Sequence, residues 1–226
     1  MKRSVVYLLW CAAVLAASRW AEAWSVPLEL SDAPSSSEPS VPKIAYGDSG
    51  RLLVVYQQKP EWRVYYRERS STGNASWQPI EVLGTDFCAG CPDVIEDGSG
   101  RAHVVFPQRG AGGTYDLMHA IKESGVWTTT AIMSTGGTSD FENYPRLARD
   151  LAGRIHVLYS RTTDSGAGNV CHRIWNGTAW SPETIIGQVS QAYYQRPDLS
   201  VDSSGRIHAV WVVNGGYRNL VKYSRY

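Results

Sequence analysis

Ten residues in the surface loops of this chain have the side chains that a sugar site uses. They are Trp62, Arg109, Tyr115, Asp140, Glu142, Asn143, Tyr144, Tyr193, Tyr194 and Arg196. Aromatic rings offer flat apolar faces to a pyranose, and amide, carboxylate and guanidinium groups hydrogen-bond its hydroxyls. Arg196 is suited to take an acidic sugar's carboxylate bidentately. Two other sets invite chemistry and receive a plainer reading. His103, His156 and His208 recur at one position, as a metal triad would. That position is Leu53 in a fourth copy, and metal-ligand spacings are missing, so the histidines are expected to serve the scaffold and no metal is expected. Cys88 and Cys91 form a Cys-x-x-Cys, expected to close a small local disulfide in an oxidising compartment.

Four copies of one unit position these residues. Each holds a proline, a glycine eight places later, then arginine and an apolar run: Pro42–Gly50–Arg51, Pro92–Gly100–Arg101, Pro145–Gly153–Arg154 and Pro197–Gly205–Arg206. The prolines lie 50, 53 and 52 residues apart. A period this long, built of β-branched and aromatic runs between Gly/Ser/Asn clusters, predicts a propeller. Each unit reads as an inner strand, a Gly-Arg strand, a third strand and an outer strand opened by tryptophan (Trp77, Trp127, Trp180). The last unit ends at Tyr226 without its tryptophan strand, while Trp24 opens the run WSVPLEL 18 residues before Pro42. The expected architecture is all-β: a four-bladed β-propeller of four-stranded antiparallel blades, with the N-terminal strand from Trp24 completing the last blade. Closing a ring in this way removes unpaired sheet edges.

Symmetry separates scaffold from function without any alignment. A residue repeated in every blade serves the blade, and a single site must break the repeat. Asp97, Asp150 and Asp202 stand three residues before the turn glycine, and Asp48 two residues before it. All are expected to accept backbone N–H bonds. The outer-strand tryptophans are expected to anchor packing. The asymmetric residues lie in the loops before the inner strands and after the Gly-Arg strands. In an up-and-down blade those loops share one face, which is therefore the expected ligand face.

The first 23 residues read as a secretory signal: Lys2 and Arg3, an apolar core over residues 5–17, and Ala21-Glu22-Ala23 as the cleavage site. Residues 24–226 are then the propeller, secreted or periplasmic. Their 19 Lys+Arg and 20 Asp+Glu leave a net charge near −1 and no basic stripe, which argues against nucleic acid or membrane as the main partner. No cofactor is expected. Asn74 and Asn176 each head a glycosylation sequon in a turn. Cys171 is expected to be a buried thiol.

The pattern Pro-x-φ-x-x-Asp-x-x-Gly-Arg-φ-His-Val-Val, followed by a tryptophan strand, resembles the sialidase-like, BNR-repeat propellers of exported microbial proteins. That resemblance implies a glycan or polysaccharide partner. Sialidases of the superfamily use Asp-box turns, three arginines on the sialate carboxylate, a Tyr/Glu nucleophile pair and an Asp acid; no segment here matches the Asp box or the arginine triad. The reading that follows is a carbohydrate-binding module without catalysis. The alternatives are a glycan-degrading enzyme (sialidase-type exo-glycosidase or polysaccharide lyase) and a protein-interaction scaffold.

Overall fold

The computed structural model describes residues 27–31, 39–70, 76–84, 87–88, 90–110, 113–133, 141–162, 168–189, 196–214 and 219–226. The side chains at 133, 141–143, 189, 214 and 219 lie outside the description. Residues up to Asp32 form one unit and residues from Ala33 another. In the first, residues 27–31 adopt no regular element.

The second unit is an all-β, four-bladed propeller. Blade 1 is β1 (Pro39–Tyr46), β2 (Arg51–Gln58), β3 (Arg63–Ser70) and β4 (Glu81–Leu83). Blade 2 is β5 (Asp93–Glu96), β6 (Ala102–Arg109), β7 (Tyr115–Glu123) and β8 (Val126–Met133). Blade 3 is β9 (Phe141–Arg149), β10 (Ile155–Thr162), β11 (Gly168–Trp175) and β12 (Thr184–Val189). Blade 4 holds β13 (Asp198–Val201), β14 (Ile207–Asn214) and β15 (Asn219–Arg225) among the described residues. Neighbouring strands within each blade are antiparallel, and one parallel bridge, Tyr115↔Phe141, ties blade 2 to blade 3. The segment expected to complete blade 4 starts at Trp24, which lies outside the described residues, and residues 27–31 form no strand.

The middle strands carry the core. Leu53, Val55, Val64 and Tyr66 of blade 1 meet Val94, Val104 and Phe106 of blade 2, all at most 5% exposed. Val105 and Leu117 meet Val157, Tyr159 and Cys171 across the next seam, and Leu158 and Val170 meet Ala209 and Trp211 across the third. Trp127 and Trp180 anchor seams as expected, whereas Trp77 lies against Arg69 of its own blade. Trp127 packs edge-on against Tyr66 at 4.9 Å, and Trp180 against His119 at 5.1 Å. Glycine makes room for Trp211: a Cβ at Gly187 would stand 2.8 Å from its Nε1.

Each inner strand turns into its Gly-Arg strand through a tight loop whose glycine has φ between +75° and +80°, where a Cβ is strained. In blades 2, 3 and 4 the expected aspartate braces this turn. Asp97 accepts from the Ser99 and Arg101 amides at 2.9 Å, and from the Arg101 side chain at 2.7 Å. Asp202 repeats both amide contacts, with Ser204 and Arg206, and Asp150 accepts from the Arg154 amide at 2.9 Å. Blade 1 differs. Gly47 stands at the aspartate position, and Asp48 pairs instead with Arg149 of blade 3. The missing carboxylate comes from blade 2. Glu96 accepts from the Ser49 amide at 2.8 Å, its hydroxyl at 2.7 Å and Arg51 at 2.7 Å. A Cβ on Gly47 would fall 2.2 Å from the Glu96 carboxyl, so glycine there admits the neighbouring blade's brace.

Candidate ligand site

The antiparallel order puts the β2–β3, β6–β7 and β10–β11 connections on the face where the inner strands begin. The described candidates on this face form two groups on different seams. On the seam of blades 1 and 2, Trp62 meets Phe87 at 5.3 Å, and Phe87 meets Tyr115 at 6.3 Å. Lys59 Nζ sits 5.0 Å from the Trp62 ring. Backbone bonds pin the group: the Cys88 amide donates to Trp62 O at 2.7 Å, and the Arg109 amide to Phe87 O at 2.8 Å. The Arg109 side chain is exposed beside it.

The expected Cys88–Cys91 disulfide is a correction: no bond joins the two sulfurs. Cys88 turns inward and is fully buried in the blade 1–2 core, whereas Cys91 stays half-buried at the start of the inner strand. Gly90, at φ +120°, carries the chain between these opposed directions.

On the far side, Arg196 stacks over the Tyr144 ring at 5.5 Å. Both residues precede a proline and both have positive φ, as does Val41 before Pro42. Proline steers its predecessor toward extended backbone, and a non-glycine residue at positive φ costs about 1–3 kcal/mol. Trp62 also has positive φ, so four strained residues sit on this one face. Such strain persists where the surrounding structure holds it, and functional sites are frequent locations. Glu142 and Asn143 lie on β9 opposite Arg161 and Ser160. Their side chains, and all of Asp140, Tyr193 and Tyr194, lie outside the described residues.

The loop-based reading missed a further set. The residue directly after each inner-strand proline is Lys43, Asp93, Arg146 and Asp198 in turn. Charge alternates from blade to blade at one level of the inner strands. Asp93 accepts from the Leu147 amide of β9 at 2.8 Å and from the Val94 amide at 3.0 Å. Arg146 reaches Asp198 at 3.8 Å, and Asp198 accepts from the Leu199 amide at 3.1 Å. Burial raises the Asp93 pKa, with the Leu147 amide, Arg146, the Val94 amide and Lys43 opposing it. The set was visible in the repeat, because a position reading Lys, Asp, Arg, Asp breaks the symmetry that the flanking proline keeps. Near the same face Gln57 is 3% exposed, and its Nε2 has no protein hydrogen-bond partner.

Of the three repeated histidines, His103 and His156 are fully buried in the core, whereas His208 is about one-third exposed. His103 Nε2 lies 3.2 Å from Asp97 and its Nδ1 2.9 Å from His119 Nε2. His156 makes the same pair of contacts with Asp150 and His172. His208 joins Asp202 to the Tyr223 hydroxyl. Desolvation lowers the pKa of His103, His119, His156 and His172, so neutral rings are favoured. Among the described residues no cluster of three or more His, Cys, Asp or Glu is arranged to hold a metal.

No family model and no curated protein matches this chain. Solved structures do match in fold. A Hadza microbial sialidase superposes with a TM-score of 0.62 at 13% identity, over 82% of this chain and 44% of that one. The Penicillium chrysogenum α-L-arabinanase complexed with arabinobiose gives 0.61 at 14% identity, over 83% and 62%. The Podospora anserina α-L-arabinofuranosidase in complex with cellotriose gives 0.53 at 12% identity, over 83% and 63%. The chain thus spans between about two fifths and two thirds of the length of these structures. At these identities the likeness shows the β-propeller fold alone.

Proposed function

We propose that this chain is an exported propeller that binds carbohydrate at the mouth where its inner strands begin, and that it does so without catalysis. One observation carries the reading. The residues that break the repeat gather on that face: the Trp62–Phe87–Tyr115 rings, the Tyr144–Arg196 stack and the alternating Lys43, Asp93, Arg146, Asp198 set. Rings supply stacking, and alternating charges supply donors and acceptors for hydroxyls. The glycan-processing names of the structural neighbours support a glycan as the ligand class.

The carboxylates and phenols favour binding over hydrolysis. Asp93 has both oxygens on backbone amides, and Asp198 lies beside Arg146. Among the described residues two Tyr–Glu pairs occur, Tyr66–Glu68 and Tyr159–Glu183, each at 2.5 Å. Both tyrosines are fully buried, and burial pushes their phenols well above the ordinary range, the opposite of what a nucleophilic phenolate needs. A second reading, a glycan-degrading enzyme, rests on Asp93. Its raised pKa is what a general acid requires.

A glycan array and a reducing-sugar assay on the same preparation separate these readings. Binding without sugar release, weakened by Arg196→Ala, is expected. Release that is lost in Asp93→Asn would establish the enzyme. No binding on the array would leave a protein-interaction scaffold.

A further inference from the structure

The loop between blades 1 and 2 holds two thiols in opposed environments. Cys88 is fully buried and belongs to the blade 1–2 core with Val64, Leu83 and Phe106. The space around its sulfur is tight: a Cβ at Gly84 would stand 3.0 Å from Cys88 Sγ, 3.1 Å from Phe106 Cε2 and 2.9 Å from Gln108 Oε1. Cys91 is half-buried and follows Gly90, whose φ of +120° suits glycine alone.

The two ends of the loop are held differently. Cys91 precedes Pro92, which is buried, and Asp93, whose carboxylate accepts from the Leu147 and Val94 amides. The inner strand therefore fixes the Cys91 backbone. At the other end, the Cys88 amide donates to Trp62 O at 2.7 Å and the Arg109 amide donates to Phe87 O at 2.8 Å. These bonds and the buried sulfur seat the Phe87 ring between Trp62, at 5.3 Å, and Tyr115, at 6.3 Å. Trp62 is itself held at φ +55°. A displacement of Cys88 is thus transmitted to the whole ring group.

We propose that Cys88 and Cys91 form a redox-sensitive clasp. As a dithiol the pair leaves the Trp62–Phe87–Tyr115 group assembled, and oxidation to a Cys88–Cys91 disulfide takes it apart. The oxidant is a small-molecule disulfide such as oxidised glutathione. The Cys91 thiolate attacks one sulfur of the oxidant and releases the first thiolate. The Cys88 sulfur, deprotonated by water, then displaces the second thiolate from Cys91. Two protein thiols and one oxidant disulfide give one protein disulfide and two free thiols, which carry away both protons. Because Cys91 is anchored, Cys88 makes the move. Its departure vacates the space beside Gly84 and Phe106 and breaks the amide bond to Trp62. Any effect on glycan affinity rests on the function proposed above, whereas the clasp itself does not.

The experiment equilibrates the full chain and Cys91→Ser with reduced or oxidised glutathione, without sugar. Peptide mapping identifies the bond, and hydrogen exchange reads the Cys88 and Arg109 amides. Cys91→Ser removes the partner thiol while leaving the core sulfur in place. In the unaltered chain oxidised glutathione should produce the Cys88–Cys91 bond and raise exchange at the Cys88 amide roughly tenfold or more, with the Arg109 amide following. Dithiothreitol should restore both. Cys171, buried on the next seam, should remain a thiol, and the Asp150–Arg154 turn should be unchanged. In Cys91→Ser both amides should keep their protection under oxidised glutathione. Absence of the Cys88–Cys91 bond at every glutathione ratio overturns the proposal. So does a bond that leaves the Cys88 amide protected, or an equal loss of protection in Cys91→Ser. With no sugar present, these outcomes are read separately from the array, so failure of the clasp and failure of the glycan reading are distinguishable.

Discussion

Acid should unfold this protein through its paired histidines. Burial lowers the pKa of His119 from 6.5 to about 3, with His103 and Arg101 adding to the effect, and lowers that of His172 to about 4, with His156 adding. A folded-state pKa below the unfolded value means that the unfolded chain takes up the proton first. The stabilisation is therefore complete above about pH 6.5 and drains as the pH falls toward the folded values. At pH 5 each of these two groups is about 1.5 units below its unfolded pKa, which at 1.36 kcal/mol per unit is about 2 kcal/mol. Together they remove about 4 kcal/mol, a large share of the ~5–15 kcal/mol typical of a domain. His103 and His156 shift in the same direction. The assay is urea unfolding at steps between pH 7.5 and pH 4.5. Blade 4 supplies the control, because there Tyr223 replaces the second histidine and still bonds His208 at 2.8 Å. His119→Tyr with His172→Tyr should fold and should flatten the pH dependence by close to two protons. A wild-type stability constant from pH 6.5 to pH 5, or a double variant with an undiminished slope, would refute the reasoning.

Three further outcomes follow from the same geometry. Gly47→Ala should cost about 1–3 kcal/mol by chemical denaturation, because its Cβ would fall 2.2 Å from the Glu96 carboxyl and displace the brace of the blade 1 turn. Trp180→Phe keeps a ring at the seam but leaves His119 Nδ1 without its donor. It should cost about 1 kcal/mol beyond the lost packing, read by chemical denaturation as the difference from the same substitution in a His119→Phe background, where no acceptor remains. Arg196→Ala and Tyr144→Ala should each weaken a bound glycan by roughly ten- to a hundredfold, about 1–3 kcal/mol in titration calorimetry, with circular dichroism unchanged.

The repeat made the propeller legible because every blade must solve the same packing problem, and the solution shows as Pro, Gly-Arg and Trp at fixed spacing. The scaffold role of His103 and His156 was legible for the same reason. Their partners were not, although His119 and His172 each follow by 16 residues, a spacing that repeats as faithfully as the prolines. The Glu96 brace could not be read from one unit, since it replaces a missing side chain in the blade before it. The Cys88–Cys91 spacing permitted a disulfide, but the core claimed one sulfur and not the other. At the mouth, loop composition pointed to Trp62, Tyr115, Tyr144 and Arg196, which the structure sets on one face but on separate seams. It passed over Lys43, Asp93, Arg146 and Asp198, whose alternation appears only when the units are aligned on their prolines.

The central claim is that a glycan binds where the inner strands begin. Hydrogen exchange of the backbone amides, with and without the best oligosaccharide from the array, tests it most directly. Protection is expected in the Tyr144–Leu147 and Arg196–Leu199 segments and around Trp62 and Tyr115, with the opposite turns at Asp97–Arg101 and Asp150–Arg154 unchanged. Protection confined to those turns, or to the outer strands, would contradict the account.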